Sequence, residues 1–220
     1  MIKDNLEKIK KLIPKNVSLV VVSKTHPSSA ILEAYQTGHR IFGENKVQEL
    51  VEKYENLPKD IEWHMIGHLQ SNKVKYIAPF VALIHGVDSL NLLEEINKRA
   101  AQNNRIISCL LQIHVAKEES KFGFSENELT ELLSNQSVSN LKNIKLVGLM
   151  GMATNTNKIN QIRSEFQKLK FLFENIKNQN SNFKILSMGM SGDYQIAIEE
   201  GSNMVRIGSS IFGNRNYTKN

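Results

Sequence analysis

Cysteine occurs once, tryptophan once and proline four times in 220 residues, and each scarcity removes a class of protein. A single Cys109 inside an apolar run cannot form an intramolecular disulfide, so a stapled secreted scaffold is excluded. It reads as a small buried hydrophobe in a reducing compartment. With few prolines and no Pro-, Gly- or Ser-rich stretch, there is no linker at which to divide the chain, and residues 1–220 are read as a single domain. No apolar run approaches the roughly 18 residues of a membrane span. Residues 1–11 are charged with a helical pattern, unlike a signal peptide. The cytoplasm is the expected location, with no membrane partner. A P-loop and a GxGxxG dinucleotide fingerprint are also missing. Gly189-x-Ser191 has the start of a nucleophile elbow, but Asp193 stands where its second glycine belongs.

Lysine and arginine outnumber acidic residues 28 to 22, for a formal charge of +6. The basic residues are scattered along helical segments such as 3–11 and 168–177, with no aromatic interleaving. They read as solvated helix faces, and no nucleic acid is expected as a partner.

Apolar runs of strand length occur at 18–22, 39–42, 61–66, 80–85, 106–114, 145–149, 183–187 and 203–207. Helical periodicity fills the gaps, best at Ile159, Ile162, Phe166, Leu169, Phe173 and Ile176. Ser89 is placed to cap a helix, Ser125 with Glu128 forms a capping box, and Gly38 and Gly201 sit where helices stop. About eight strand–helix units in succession predict an α/β fold, a (β/α)8 TIM-type barrel, with a doubly wound open sheet as competitor. An extra N-terminal helix, residues 3–13, is expected to cover one end of the barrel.

Barrel closure turns scattered residues into a candidate site. Lys24 ends the first strand, directly after Leu19-Val20-Val21-Val22-Ser23. Desolvation there disfavours the ammonium and favours a nucleophilic amine suited to a Schiff base with an aldehyde. The competing reading is a lysine that reaches solvent on its apolar stem. Closure sets Lys24 beside Arg206 in the eighth strand and beside the turns Ser191-Gly192 and Gly208-Ser209, at the face where such barrels commonly hold phosphate. Ordinary strand-to-helix turns would have the same composition. Arginine keeps its proton, so Arg206 beside a pyridine nitrogen would donate a hydrogen bond and discourage ring protonation. Met150, Met152, Met188 and Met190 read as adaptable filler of the barrel core or mouth. His64 and His68 are four apart, but Gly67 interrupts a helix there, so they read as core or loop histidines and no metal site is expected.

Eight segments, taken in order, carry a resemblance that no single one would: VVSKTHP around Lys24, FGENKVQE at 42–49, WHMIGHLQSNK at 63–73, GVDS at 86–89, KEESKFGF at 117–124, GLMGMAT at 148–154, LSMGMSGD at 186–193 and VRIGSSIFG at 205–213. They resemble the YggS/PROSC family, the pyridoxal phosphate homeostasis proteins, over nearly the whole chain. The resemblance implies a barrel related to the N-terminal domain of alanine racemase, with pyridoxal 5'-phosphate held as a Schiff base on Lys24. It sets Asn45 near the ring, Arg206 on the ring nitrogen, and Ser191, Gly192, Gly208 and Ser209 around the phosphate. Ser187 and Met188 complete the wall. The family often has Gly-Thr where this chain has Gly208-Ser209. The implied function is storage, buffering or delivery of the cofactor, in support of vitamin B6 and amino-acid homeostasis, with PLP-dependent apo-enzymes as recipients. It is not that of an enzyme, because no C-terminal β domain is present to supply a second catalytic base. Weak amino-acid racemase activity is the alternative, and a phosphosugar-binding barrel without a covalent lysine is a more distant one. No long apolar surface helix requires a partner copy, so a monomer is expected.

Overall fold

The computed structural model describes residues 1–117 and 122–213. Residues 118–121 of the KEESKFGF segment, and Tyr217, lie outside the described residues. Eight strands run β1 Ser18–Val22, β2 Ile41–Glu44, β3 Glu62–Met65, β4 Leu83–Val87, β5 Ile107–Ile113, β6 Ile144–Gly151, β7 Ile185–Met190 and β8 Met204–Ile207. The helices between and around them are α1 Ile2–Leu12, α2 Ser28–Tyr35, α3 Val47–Asn56, α4 Val74–Ile77, α5 Leu90–Gln102, α6 Glu126–Ser134, α7 Gln136–Ser139, α8 Ile159–Lys177, α9 Tyr194–Glu199 and α10 Ser209–Phe212. The expected caps form: the Ser89 side chain accepts from Leu92 N–H, and Ser125 with Glu128 makes a full capping box.

Every strand pairs in parallel with its sequence neighbours, and β1 pairs with β8 to close the barrel. That seam sets Val20 opposite Arg206 and Val21 opposite Ile207. Alternation along the strands divides the apolar residues into two layers. Val20, Leu83, Leu110, Val147, Met150 and Met204 fill the interior. Leu19, Val21, Phe42, Leu186, Met188 and Val205 point outward into the larger core under the helices.

Several strands reach further toward the C-terminal face than the apolar runs predict. β2, β4, β6 and β7 end at Glu44, Val87, Gly151 and Met190, two or three residues beyond the expected ends at 42, 85, 149 and 187. Helix α1 also differs from its expected place. It packs against α2 and α10 on the flank, and Asn5 Nδ2 donates to the Ile211 carbonyl at 3.0 Å. The reason is that α10 is one turn long and leaves the last place in the outer ring open. Leu6 and Ile9 of α1 fill it and join the outer core; burying Leu6 alone contributes about 2 kcal/mol.

Candidate functional site

The barrel mouth at the C-terminal strand ends holds a cavity of about 260 Å³. Lys24, Asn45, Ser191, Gly192, Arg206, Gly208 and Ser209 line it together with Val22, Ile66, Met152 and Met190. Seven of the nine residues singled out from the sequence therefore share one cavity. Ser187 and Met188 do not line it. Met188 is buried in the outer core, because strand alternation turns it away from the interior. Gly189, at φ +96°, then interrupts the alternation, and the β7–β8 register slips by one residue between Ser187 and Met190. This bulge brings Met190 back to the cavity.

Ser187 acts one layer below, through Arg206. Arg206 is buried, and its Nη1 donates to the Ser187 carbonyl at 2.9 Å and to Ser187 Oγ at 2.6 Å while Nη2 donates to the Gly151 carbonyl at 3.0 Å. A guanidinium has five N–H donors, so Nε and the second Nη2 hydrogen have no acceptor among the described residues. Burial pulls Arg206 down to about 10, opposed by Asp193, and it stays protonated at neutral pH. Ser187 Oγ also lies 3.1 Å from His85 Nδ1, and His85 Nε2 lies 3.1 Å from His64 Nδ1. One polarity accommodates all three contacts: Arg206 donates to Ser187, Ser187 to His85 and His85 to His64. Four strands are tied across the barrel interior by this chain. The pair His64 and His68 separates accordingly, since His68 turns to Asp88 at 3.0 Å.

Burial lowers His64 to about 3 and pushes His85 far down as well, with the neighbouring His64 and Arg206 adding to the effect on His85. Both are neutral in the fold, whereas the unfolded chain protonates them below about pH 6.5. Their contribution to stability is therefore complete above pH 6.5 and is lost as pH falls toward 3. At pH 5 the loss for His64 is about 2 kcal/mol. The expected result is a urea midpoint that falls between pH 7 and pH 5 in the unaltered protein and falls less in His64→Gln. Equal slopes in the two proteins would contradict the assignment.

Two close approaches fix the rim. A Cβ on Gly208 would lie 2.9 Å from the Val22 carbonyl oxygen, so only glycine lets the β8 turn pass this near to β1. Gly208 N–H donates to Ser191 Oγ at 3.2 Å, which links the two small-residue loops. A Cβ on Gly67 would lie 2.4 Å from the Asn45 carbonyl oxygen. Asn45 is thereby held at the end of β2, and its Oδ1 is buried with no hydrogen-bond partner among the described residues. Behind Lys24, on the outer face of the same strand, Ser23, Glu44, Glu49 and Lys53 form a hydrogen-bonded cluster that local sequence does not disclose. Burial pushes Glu44 up to about 7 against the pull of Lys53.

The alanine racemase N-terminal domain family matches residues 1–216. The pyridoxal phosphate homeostasis protein of Aquifex aeolicus is 42% identical over 202 residues, covering 90% of this chain and 87% of that protein. This chain belongs to the pyridoxal phosphate homeostasis protein family. The member of the family from Escherichia coli K12 is 37% identical over 210 residues, covering 94% of this chain and 89% of its own length. Among solved structures, PipY of Synechococcus elongatus PCC7942, with PLP bound, superposes with a TM-score of 0.88 at 33% identity, covering 97% of this chain and all of PipY. Alanine racemase from Clostridium difficile 630 superposes at 0.79 and 16% identity over 56% of its length, which shows a shared barrel fold.

Proposed function

We propose that the cavity holds pyridoxal 5'-phosphate and that the protein stores the cofactor and hands it to PLP-dependent apo-enzymes. The observation that carries this reading is the convergence of Lys24, Arg206 and the Ser191-Gly192 and Gly208-Ser209 loops on one cavity. Three further features fit the group. Asn45 offers a buried amide oxygen without a partner, Arg206 keeps two N–H donors to spare, and a Cβ at Gly192 would meet open space, as a loop facing an anion requires. When bound, the cofactor supplies an aldehyde that a lysine amine can hold covalently and an electron-withdrawing pyridine ring.

In this reading Lys24 is the covalent anchor, the two loops hold the phosphate, and Asn45 and Arg206 orient the ring. Arg206 keeps its proton and donates to the ring nitrogen, which weakens the ring as an electron sink. Among the described residues that line the cavity, Lys24 is the one suited to act as a proton-transferring base. A single base supports retention over stereochemical inversion. The protein is expected to act as a monomer in the cytoplasm.

Titration with pyridoxal 5'-phosphate, followed by borohydride reduction and peptide mass mapping, tests the site: an adduct confined to Lys24 is expected, and one on another lysine overturns it. Transfer to an apo-enzyme faster than release into buffer is expected of a carrier. Inversion of L-amino acids faster than by a Lys24→Ala control would favour the racemase reading instead.

A further inference from the structure

The backbone that presents Lys24 is strained in the residue that follows it. Thr25 sits at φ +68°, and it and Asn104 are the non-glycine residues at positive φ among the described residues. Asparagine tolerates this region, but for a β-branched threonine it is an outlier. Such a conformation persists only where the surroundings over-determine it.

The surroundings here are a Ser23–His26 turn, closed by His26 N–H donating to the Ser23 carbonyl at 3.1 Å with Thr25 Oγ1 donating to the Lys24 carbonyl at 2.6 Å, and around it one lysine and two carboxylates. Lys53, on α3, donates to the Ser23 carbonyl at 2.9 Å, to Glu44 Oε1 at 2.7 Å and to Glu49 Oε1 at 2.7 Å, which uses all three of its N–H groups. Glu49 Oε1 accepts from Thr25 N–H, and Glu44 Oε1 accepts from Ser23 Oγ at 2.6 Å. Both chain neighbours of Lys24 are thus tied to a single ammonium. Ser23 and Glu44 are completely buried and Lys53 is nearly so, while Lys24 lines the cavity. The cluster reaches Lys24 through the backbone of the residues on either side of it.

We propose that Lys53, acting through Glu44 and Glu49, is a positioning clamp that holds Thr25 in the left-handed region and so aims the Lys24 amine into the cavity. The proposal rests on the reading of Lys24 as the cofactor anchor. An ion cluster with a merely structural role would fasten β2 to α3 and leave the φ of residue 25 unaffected.

Removing Lys53 would strand the buried Glu44 carboxylate and endanger folding, so the test uses the partly exposed Glu49. In cofactor-free Glu49→Ala, φ-sensitive scalar couplings are expected to show residue 25 leaving positive φ. The dissociation constant for pyridoxal 5'-phosphate is expected to rise about tenfold, the effect of one lost charge-assisted hydrogen bond. Adding Thr25→Gly should return affinity to within about threefold of the unaltered protein, because glycine adopts positive φ without steric cost. Thr25 remaining at positive φ in Glu49→Ala, or a double variant no better than the single one, overturns the clamp. An adduct on a lysine other than Lys24 in the unaltered protein sinks the anchor reading instead, and that result is separable because the φ measurement is made without cofactor.

Discussion

Lys24→Ala protein is expected to stay colourless after incubation with pyridoxal 5'-phosphate and dialysis, and to give no borohydride-fixed adduct. The substitution removes the one amine that lines the cavity among the described residues and leaves the Ser191-Gly192 and Gly208-Ser209 loops, Asn45 and Arg206 in place. Those groups bind by hydrogen bonds and charge alone, so retention should weaken by about a hundredfold or more. Lys24 is half-buried, and its loss should cost the fold little. Lys24→Arg separates the two roles of the side chain. It restores the positive charge but does not surrender its proton at neutral pH, so it offers no nucleophile. Its expected phenotype is weak, colourless binding close to that of the alanine variant. A visible absorption band in either protein, or an adduct recovered from it, would show that the cofactor is held elsewhere.

Arg206→Leu should lose both the site and part of the fold. The guanidinium spans three acceptors, the Ser187 carbonyl, Ser187 Oγ and the Gly151 carbonyl, which belong to two different strands. Leucine fills much of the same space and bonds none of them. Each buried acceptor left unsatisfied costs about 1 to 3 kcal/mol, so a loss of about 3 kcal/mol in urea denaturation is expected, along with more than tenfold weaker cofactor binding. Arg206→Lys keeps the charge but carries no planar fork, and it cannot hold Ser187 and Gly151 together. It should fall between leucine and the native residue in stability. If Arg206→Leu unfolds at the native urea concentration, the bonds drawn to Ser187 and Gly151 are not the ties between β6, β7 and β8 described above.

The barrel itself was legible because parallel strands covered on both faces are written as apolar runs, and helices with one dry stripe are written at spacings of three and four. Strand ends were less legible, for a reason tied to function. The C-terminal ends of β2, β6 and β7 carry Glu44, Gly151 and Met190, residues that serve the mouth and look unlike strand. Phe80 and Phe183, which precede β4 and β7, are apolar because they pack against or within the outer core. They drew the expected boundaries too early. The assignment of Met188 to the cavity wall failed on parity, which a one-residue bulge at Gly189 resets and composition does not reveal. Lys24, Arg206 and the small-residue loops stood out because charge or glycine at a buried strand end is costly unless used. Lys53 did not, since a lysine in a polar helical pattern looks solvated. Its burial follows from Glu49, one turn earlier on α3, and Glu44 on β2, which the pairing of β1 with β2 brings beneath the β1 turn. The His85–Ser187 contact spans 102 positions and leaves no local trace.

With α1 wedged beside α10 and β1 zipped to β8, the earliest and latest parts of the barrel complete each other. In the order of synthesis Lys24 precedes the Ser191-Gly192 and Gly208-Ser209 loops and Arg206 by more than 160 residues. A nascent chain halted before residue 206 would carry Lys24 without Arg206 or the Gly208-Ser209 loop beside it. Under the proposed function, cofactor binding would wait until the barrel shuts, so the long-range pairing of first strand with last would gate function as well as folding.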